Sequence, residues 1–408
     1  MRGRTRGRWL VGLLLLCVVA WMGLQRLTAA SAGPVVEVGF GVGAMAVEPG
    51  AHRLFVGSWG AQLNGVSVVD TIGGTRVRQV LPNRGWPVLT VGRRRHRIYA
   101  TQPDGDLLHI LDAATGASLR TIRVGAGAYS AALDEAGGRL YLGILYSRSV
   151  KVLDVTTGAT VGVITAGPIG SVALDPGTGR GFVPMAGTTH CGRLPIPRTG
   201  AVCTFDLRGG RMLRAVPVAS QDGYTLIVDK STHRLFVLTS PDNTLSVLDT
   251  HTGALVRTAP VGAVPARMGR AGMALDTRAG RVMISNSADD TLYLLDARSG
   301  AVVRAVALGT DAGDLQGAVA VDEGTSRAFV SGRNGTRVVD TRAGTIVRTL
   351  PASYQVAVDP GTRHVFLGQG GDPILVDQLT FRVASALHMR TASPRTGPAT
   401  VTMLTNAD

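Results

Sequence analysis

Eight histidines, three cysteines and a recurring series of aspartates are the residues of this 408-residue sequence that could do chemistry. His52, His96, His233 and His364 share one local pattern, and His251 follows one of the recurring aspartates, so these five read as parts of a repeat. A lyase or lactonase working with a single histidine would have to use His109 or His190. A two-histidine metal site or a Ser-His-Asp system finds too few partners beside either of them. Cys191 and Cys203 stand close in sequence and next to His190. Two thiolates and an imidazole could hold zinc or copper, but no fourth ligand is evident. In an oxidising compartment the same pair reads as a disulfide, and closing so short a loop stabilises by roughly 3 kcal/mol on the chain-entropy account. No Cys-x-x-Cys-His supports covalent haem. These residues define no catalytic set, no metal centre and no cofactor, and they favour a binding module over an enzyme.

The aspartates are spaced as structure. Short apolar runs end at Asp70, Asp112, Asp154, Asp206, Asp249, Asp296, Asp340 and Asp377, at intervals of 37 to 52 residues. Several are followed by Thr-Gly or Ser-Gly, as in Asp112-Ala-Ala-Thr-Gly116. An Asp at a strand end can accept from the backbone two residues on, and Gly supplies the positive φ that closes a hairpin. A second register interlocks with this one. Runs such as Met45-Ala-Val-Glu48, Val172-Ala-Leu-Asp175 and Val356-Ala-Val-Asp359 open each unit. Five residues later comes a base: Arg53, Arg97, Arg139, Arg180, Arg234, Arg281, Arg327 and finally His364. Two further on comes a large apolar side chain: Phe55, Tyr99, Tyr141, Phe182, Phe236, Met283, Phe329 and Phe366. The even spacing puts base and apolar residue on one strand face. The apolar series is expected to pack between sheets, and the base to pair with the acidic turn that precedes it.

Four short strands per unit, lettered A to D in chain order, with turn signals and no helical periodicity, make an all-β chain and a β-propeller. Eight four-stranded blades are expected, with seven as the alternative. The units resemble the YVTN-repeat β-propeller family. Arg234-Leu-Phe-Val, then Leu245-Ser-Val-Leu-Asp-Thr-His-Thr-Gly253 and Val261-Gly262, carry the likeness. No unit contains a literal YVTN, and Ile284-Ser-Asn286 comes nearest. The resemblance implies fold rather than one chemistry. The Asp-x-x-Thr-Gly turns also look like those of pyrroloquinoline-quinone dehydrogenases, whose repeats carry a tryptophan a few residues on. All four tryptophans here precede residue 87.

Residues 1–32 form a leader, basic and then apolar from Trp9 to Leu24, with Ala30-Ser31-Ala32 as a small-x-small cleavage site. An uncleaved membrane anchor is the alternative. Either way residues 35–388, the propeller, lie outside the cytoplasm, and 389–408 form a flexible tail. Val35–Val38 and Phe381–Leu387 compete for the last D position. Formal net charge is +14, but five of the arginines (Arg2, Arg4, Arg6, Arg8 and Arg26) belong to the leader. A basic body favours an anionic ligand or a protein partner. Nucleic acid is disfavoured, because no basic run interleaves with aromatics. Nothing in the repeat calls for self-association, so a monomer is expected.

In a propeller the D–A and B–C connections share one face and the A–B and C–D turns the other. Here the first set varies and the second repeats. The aromatics outside the structural series fall in the variable set: Trp59, Trp86, Tyr129, Tyr146, Tyr224 and Tyr354, with Arg148, Arg267 and Arg270. Aromatics and arginines on loops are common binding anchors, and these nine are the expected ligand-binding residues.

Overall fold

The computed structural model describes residues 35–37, 42–58, 65–72, 76–81, 87–165, 171–185, 190–197, 200–218, 224–239, 242–264, 271–309, 315–368, 374–377, 383–385 and 400–402. Each repeat becomes a meander of four antiparallel strands, because its apolar runs are strand-length and its turns are too tight for anything longer. Seven regular blades result: 42–80, 88–123, 128–165, 173–217, 224–260, 271–307 and 315–350, each with its strands paired in chain order. The A strands are innermost and touch those of both neighbouring blades. Apart from one turn of 3-10 helix at Pro49–Ala51, the described residues are strands and turns.

The expected eight regular blades are therefore corrected to seven, the alternative count. The eighth repeat does form strands, Gln355–Asp359, His364–Gly368 and Ile374–Asp377, but they belong to a six-stranded sheet. Val383–Ser385 takes the D position beside Ile374–Asp377. Val35–Glu37, the competing candidate, pairs instead with Thr400–Thr402 from the C-terminal segment. The chain ends thus extend this sheet beyond a blade's four strands. The leader and most of the tail lie outside the described residues.

The large apolar residue of each B strand is buried against the next sheet. Phe236 packs with Val282 and Ile284 of the following blade, Phe329 with Val365 and Leu367, and Phe366 with Leu54 and Val56. The last contact joins the eighth repeat to the first blade and shuts the ring. His364 Nδ1 adds a hydrogen bond to the Thr71 carbonyl, 2.8 Å away and 293 residues earlier in the chain.

The turn chemistry is as read from the sequence. Asp112 Oδ1 accepts from the amides of Ala114 and Thr115 and from Thr115 Oγ1, at 2.9–3.1 Å, and Asp249 and Asp296 repeat the arrangement. The repeated base has a different partner from the one expected. Arg53 pairs with Asp70, Arg97 with Asp112 at 3.1 Å, Arg234 with Asp249 at 2.6 Å and Arg281 with Asp296 at 3.5 Å. Except in blade 2, where Gly92 stands opposite Arg97, strand B lies between two carboxylates, and the register sets Arg53 opposite both Glu48 and Asp70. The strand-A acid is buried and held by its own turn, so the more exposed strand-C acid takes the base.

Candidate functional site

Three of the expected binding residues converge on the variable face of blade 3. Tyr129 stands at the start of strand A (Ala128–Asp134), and Tyr146 and Arg148 lie in the B–C turn. The turn is drawn to the strand by a hydrogen bond from Leu145 N to the Gly127 carbonyl, 2.8 Å. The two tyrosine rings meet edge to face, centroids 6.5 Å apart and planes at 88°. Both remain open to solvent, Tyr129 at 38% and Tyr146 at 64%. The Tyr146 hydroxyl beside it pushes the Tyr129 phenol above its usual pKa. Arg148 is exposed and closes the turn at φ 49°, a conformation that costs a non-glycine residue energy. Tyr354, 41% exposed, opens strand A of the eighth repeat, its amide bonded to the Gly368 carbonyl. Tyr224 opens strand A of blade 5, paired with Thr239, and its side chain is outside the described set. Trp59, Trp86, Arg267 and Arg270 lie outside the described residues.

The two suspected histidines are separated. His109 sits within strand C of blade 2, 3.2 Å from Thr121 Oγ1, and burial lowers its pKa. His190 is exposed in a two-residue ladder with Leu194–Pro195 inside the blade 4 insertion. Its neighbour Cys191 is joined to Cys203, Cα atoms 6.4 Å apart, which fits disulfide spacing. Among the described residues no cluster of three metal-ligating side chains occurs.

Several polar groups outside the expected set have structural partners. On the variable face Asn243 donates to Asn286 Oδ1 (3.0 Å), and Asn286 donates to the carbonyls of Val261 and Ala263. Tyr293 donates to Asp289 at 2.8 Å, and burial with the adjoining carboxylate pushes the phenol up to about 12. Asn286 lies where the sequence comes nearest to the YVTN motif, which was the signal available for it. On the opposite face His233 Nδ1 reaches Asp175 of the preceding blade at 3.0 Å, and Thr250 Oγ1 meets the same oxygen at 2.5 Å. His96 faces Glu48 similarly at 3.7 Å. The turn histidines thus join neighbouring blades.

Two clefts open on the repetitive face, where no site was expected. One, of about 910 Å³, lies between blades 3 and 4 and is lined by Arg139, Arg180, Arg208 and Arg211 together with Asp134 and Asp206. The other, of about 590 Å³, lies between blades 6 and 7 and carries Arg278, Arg281, Arg304 and Arg342.

No family model and no curated protein matches the sequence. Solved structures do match. The dihydro-heme d1 dehydrogenase NirN, in complex with DHE, is 13% identical over 83% of this chain and 71% of its own, with a TM-score of 0.61. The C-terminal WD40 domain of Sif2 is 11% identical over 83% and 96%, also at 0.61. Hydrazine synthase of Kuenenia stuttgartiensis is 13% identical over 87% and 99%, at 0.54. The chain is a β-propeller. Identities this low carry no chemistry from one propeller to another.

Proposed function

We propose that this chain is an extracytoplasmic propeller of the YVTN-repeat type that binds a ligand or protein partner non-catalytically through its variable face. The observation that carries the reading is the exposed Tyr129–Tyr146 pair, with the exposed Arg148 in the same turn as Tyr146. Rings that break the repeat and stay uncovered present apolar area that water solvates poorly, and an adjacent guanidinium adds direction and charge. The cysteine pair and the leader support export. The competing reading is an enzyme working on the same face, such as a lyase, a lactonase or a redox-associated dehydrogenase. It draws on His109 or His190, but the two histidines are not brought together.

The test compares retention of an envelope partner by the full-length chain and its variants. Tyr146→Ala and Arg148→Ala should each weaken retention by about 2 kcal/mol, roughly thirtyfold, as central anchors do. Thr115→Ala and Thr252→Ala, in the repetitive turns, should leave it unchanged. A partner that responds to the threonines and ignores the tyrosine would refute the assignment of the face.

A further inference from the structure

Four blades pair the strand-B base with a carboxylate of their own third strand. Blades 3 and 4, side by side, do not. Arg139 donates to the carbonyls of Leu207 (3.0 Å) and Arg208 (3.3 Å) in blade 4, and Arg180 Nε donates to the His251 carbonyl (2.7 Å) in blade 5. The third-strand carboxylates of these two blades hold their own turns, as those of the other blades do. Asp154 Oδ1 accepts from the amides of Thr156 and Thr157 and from Thr157 Oγ1, at 2.7–3.0 Å. Asp206 accepts from the amides of Arg208 (3.3 Å) and Gly209 (2.7 Å).

A carbonyl orients a guanidinium without neutralising it. Arg139 and Arg180 are therefore fixed in place with their charge uncompensated by the usual ion pair, and both line the 910 Å³ cleft. Arg208 and Arg211 stand exposed at its edge. The two acids in the wall, Asp206 and Asp134, which accepts from the Gly137 amide (2.8 Å), offset part of this charge, so the four guanidiniums outnumber the carboxylates by two. The cleft between blades 6 and 7 differs, because there Arg281 keeps its ion pair with Asp296.

We infer that the cleft between blades 3 and 4 binds a polyanion bearing two or more linked phosphate groups. Guanidinium forks match the paired oxygens of phosphate, and those held beforehand lose less freedom on binding. The cleft is much larger than one tetrahedral anion, and its four cations come from two blades, which suits a chain of phosphates. This site is separate from the tyrosines of the variable face and does not rest on them.

The test titrates sodium tripolyphosphate into the full-length chain by calorimetry at about 0.15 M salt, where exposed charges further apart than roughly 8 Å are screened. Saturable one-to-one binding, tighter than for orthophosphate, is expected. Arg208→Gln with Arg211→Gln should weaken it at least tenfold with an unchanged melting temperature, since both side chains are exposed. Arg78→Gln with Arg257→Gln, on exposed outer strands, removes the same charge elsewhere and should stay within twofold. Tyr146→Ala should have no effect here, so this site and the variable-face reading can fail separately. Retention on cardiolipin vesicles, whose headgroup joins two phosphates, that tripolyphosphate competes away would assign the phosphate to lipid headgroups, and tripolyphosphate binding without retention would assign it to a soluble or wall-borne polymer. Absence of saturable binding, or equal weakening by the two double variants, would overturn the inference.

Discussion

Asp229 and Asp276 hold the same place in neighbouring blades and both are fully buried, yet ionisation suits only one of them. Burial opposes the charge in each. At Asp229 the hydroxyls of Ser231 and Thr232 and the Ser231 amide, at 2.7–2.8 Å, outweigh burial and hold the carboxyl below its usual pKa. At Asp276 burial prevails over the Ala279 amide, nearby Glu323 adds to it, and the pKa rises, with Oδ2 lacking any hydrogen-bond partner. The signs then differ. A depressed carboxyl contributes stability above the ordinary range near pH 4, and this is lost as pH falls through the lower folded value. A raised carboxyl costs stability once pH climbs through its folded value. Asp229→Asn should therefore lose about 1–3 kcal/mol in urea unfolding at pH 7. Asp276→Asn should hold or gain stability there, and equal losses in the two variants would contradict this account. The third-strand acids Asp112, Asp154, Asp249 and Asp296 are also depressed, so acid unfolding should set in below about pH 4 as they are protonated together.

At the scale of the element, the C–D turn does two jobs with one glycine. Gly300 closes its turn at φ +69°, and a methyl there would run into Val247 Cγ2 on strand C of the preceding blade. Gly300→Ala should cost more than the roughly 1 kcal/mol that positive φ alone imposes, and thermal unfolding will show it. The blade 4 insertion makes a simpler prediction: under denaturing, non-reducing conditions thiol titration should find neither Cys191 nor Cys203 free. Positions that recur in every unit, such as the turn aspartates and the series from Phe55 to Phe366, were legible because periodicity averages over many examples. Tyr129 and Tyr146 were legible as departures from that average. The choice made by each guanidinium was not. Arg53 faces Glu48 on one side and Asp70 on the other, and only packing decides which acid is buried. The arginine cleft follows from such choices at Arg139 and Arg180, so no spacing could announce it. The count of regular blades was equally hidden, because it depends on where both chain ends settle.

At the scale of the whole molecule, closure rests on a contact between the first and last repeats. Phe366 is nearly fully buried against Leu54 and Val56. Phe366→Ala should cost about 3–5 kcal/mol, as large-to-small changes in cores do. Phe236→Ala, between blades 5 and 6, provides the comparison. If closure couples the ends, Phe366→Ala alone should admit protease into the first blade before global unfolding, a difference that limited digestion can read. The same contact also sets a timetable for synthesis. His364 cannot find Thr71 until 293 further residues have been added, about 15 to 60 seconds at common translation rates of roughly 5–20 residues per second. Throughout that interval the nascent protein is an open arc whose first blade presents Leu54, Val56 and Val69 without their final cover. Any factor that covers that strip must let go before Phe366 can dock.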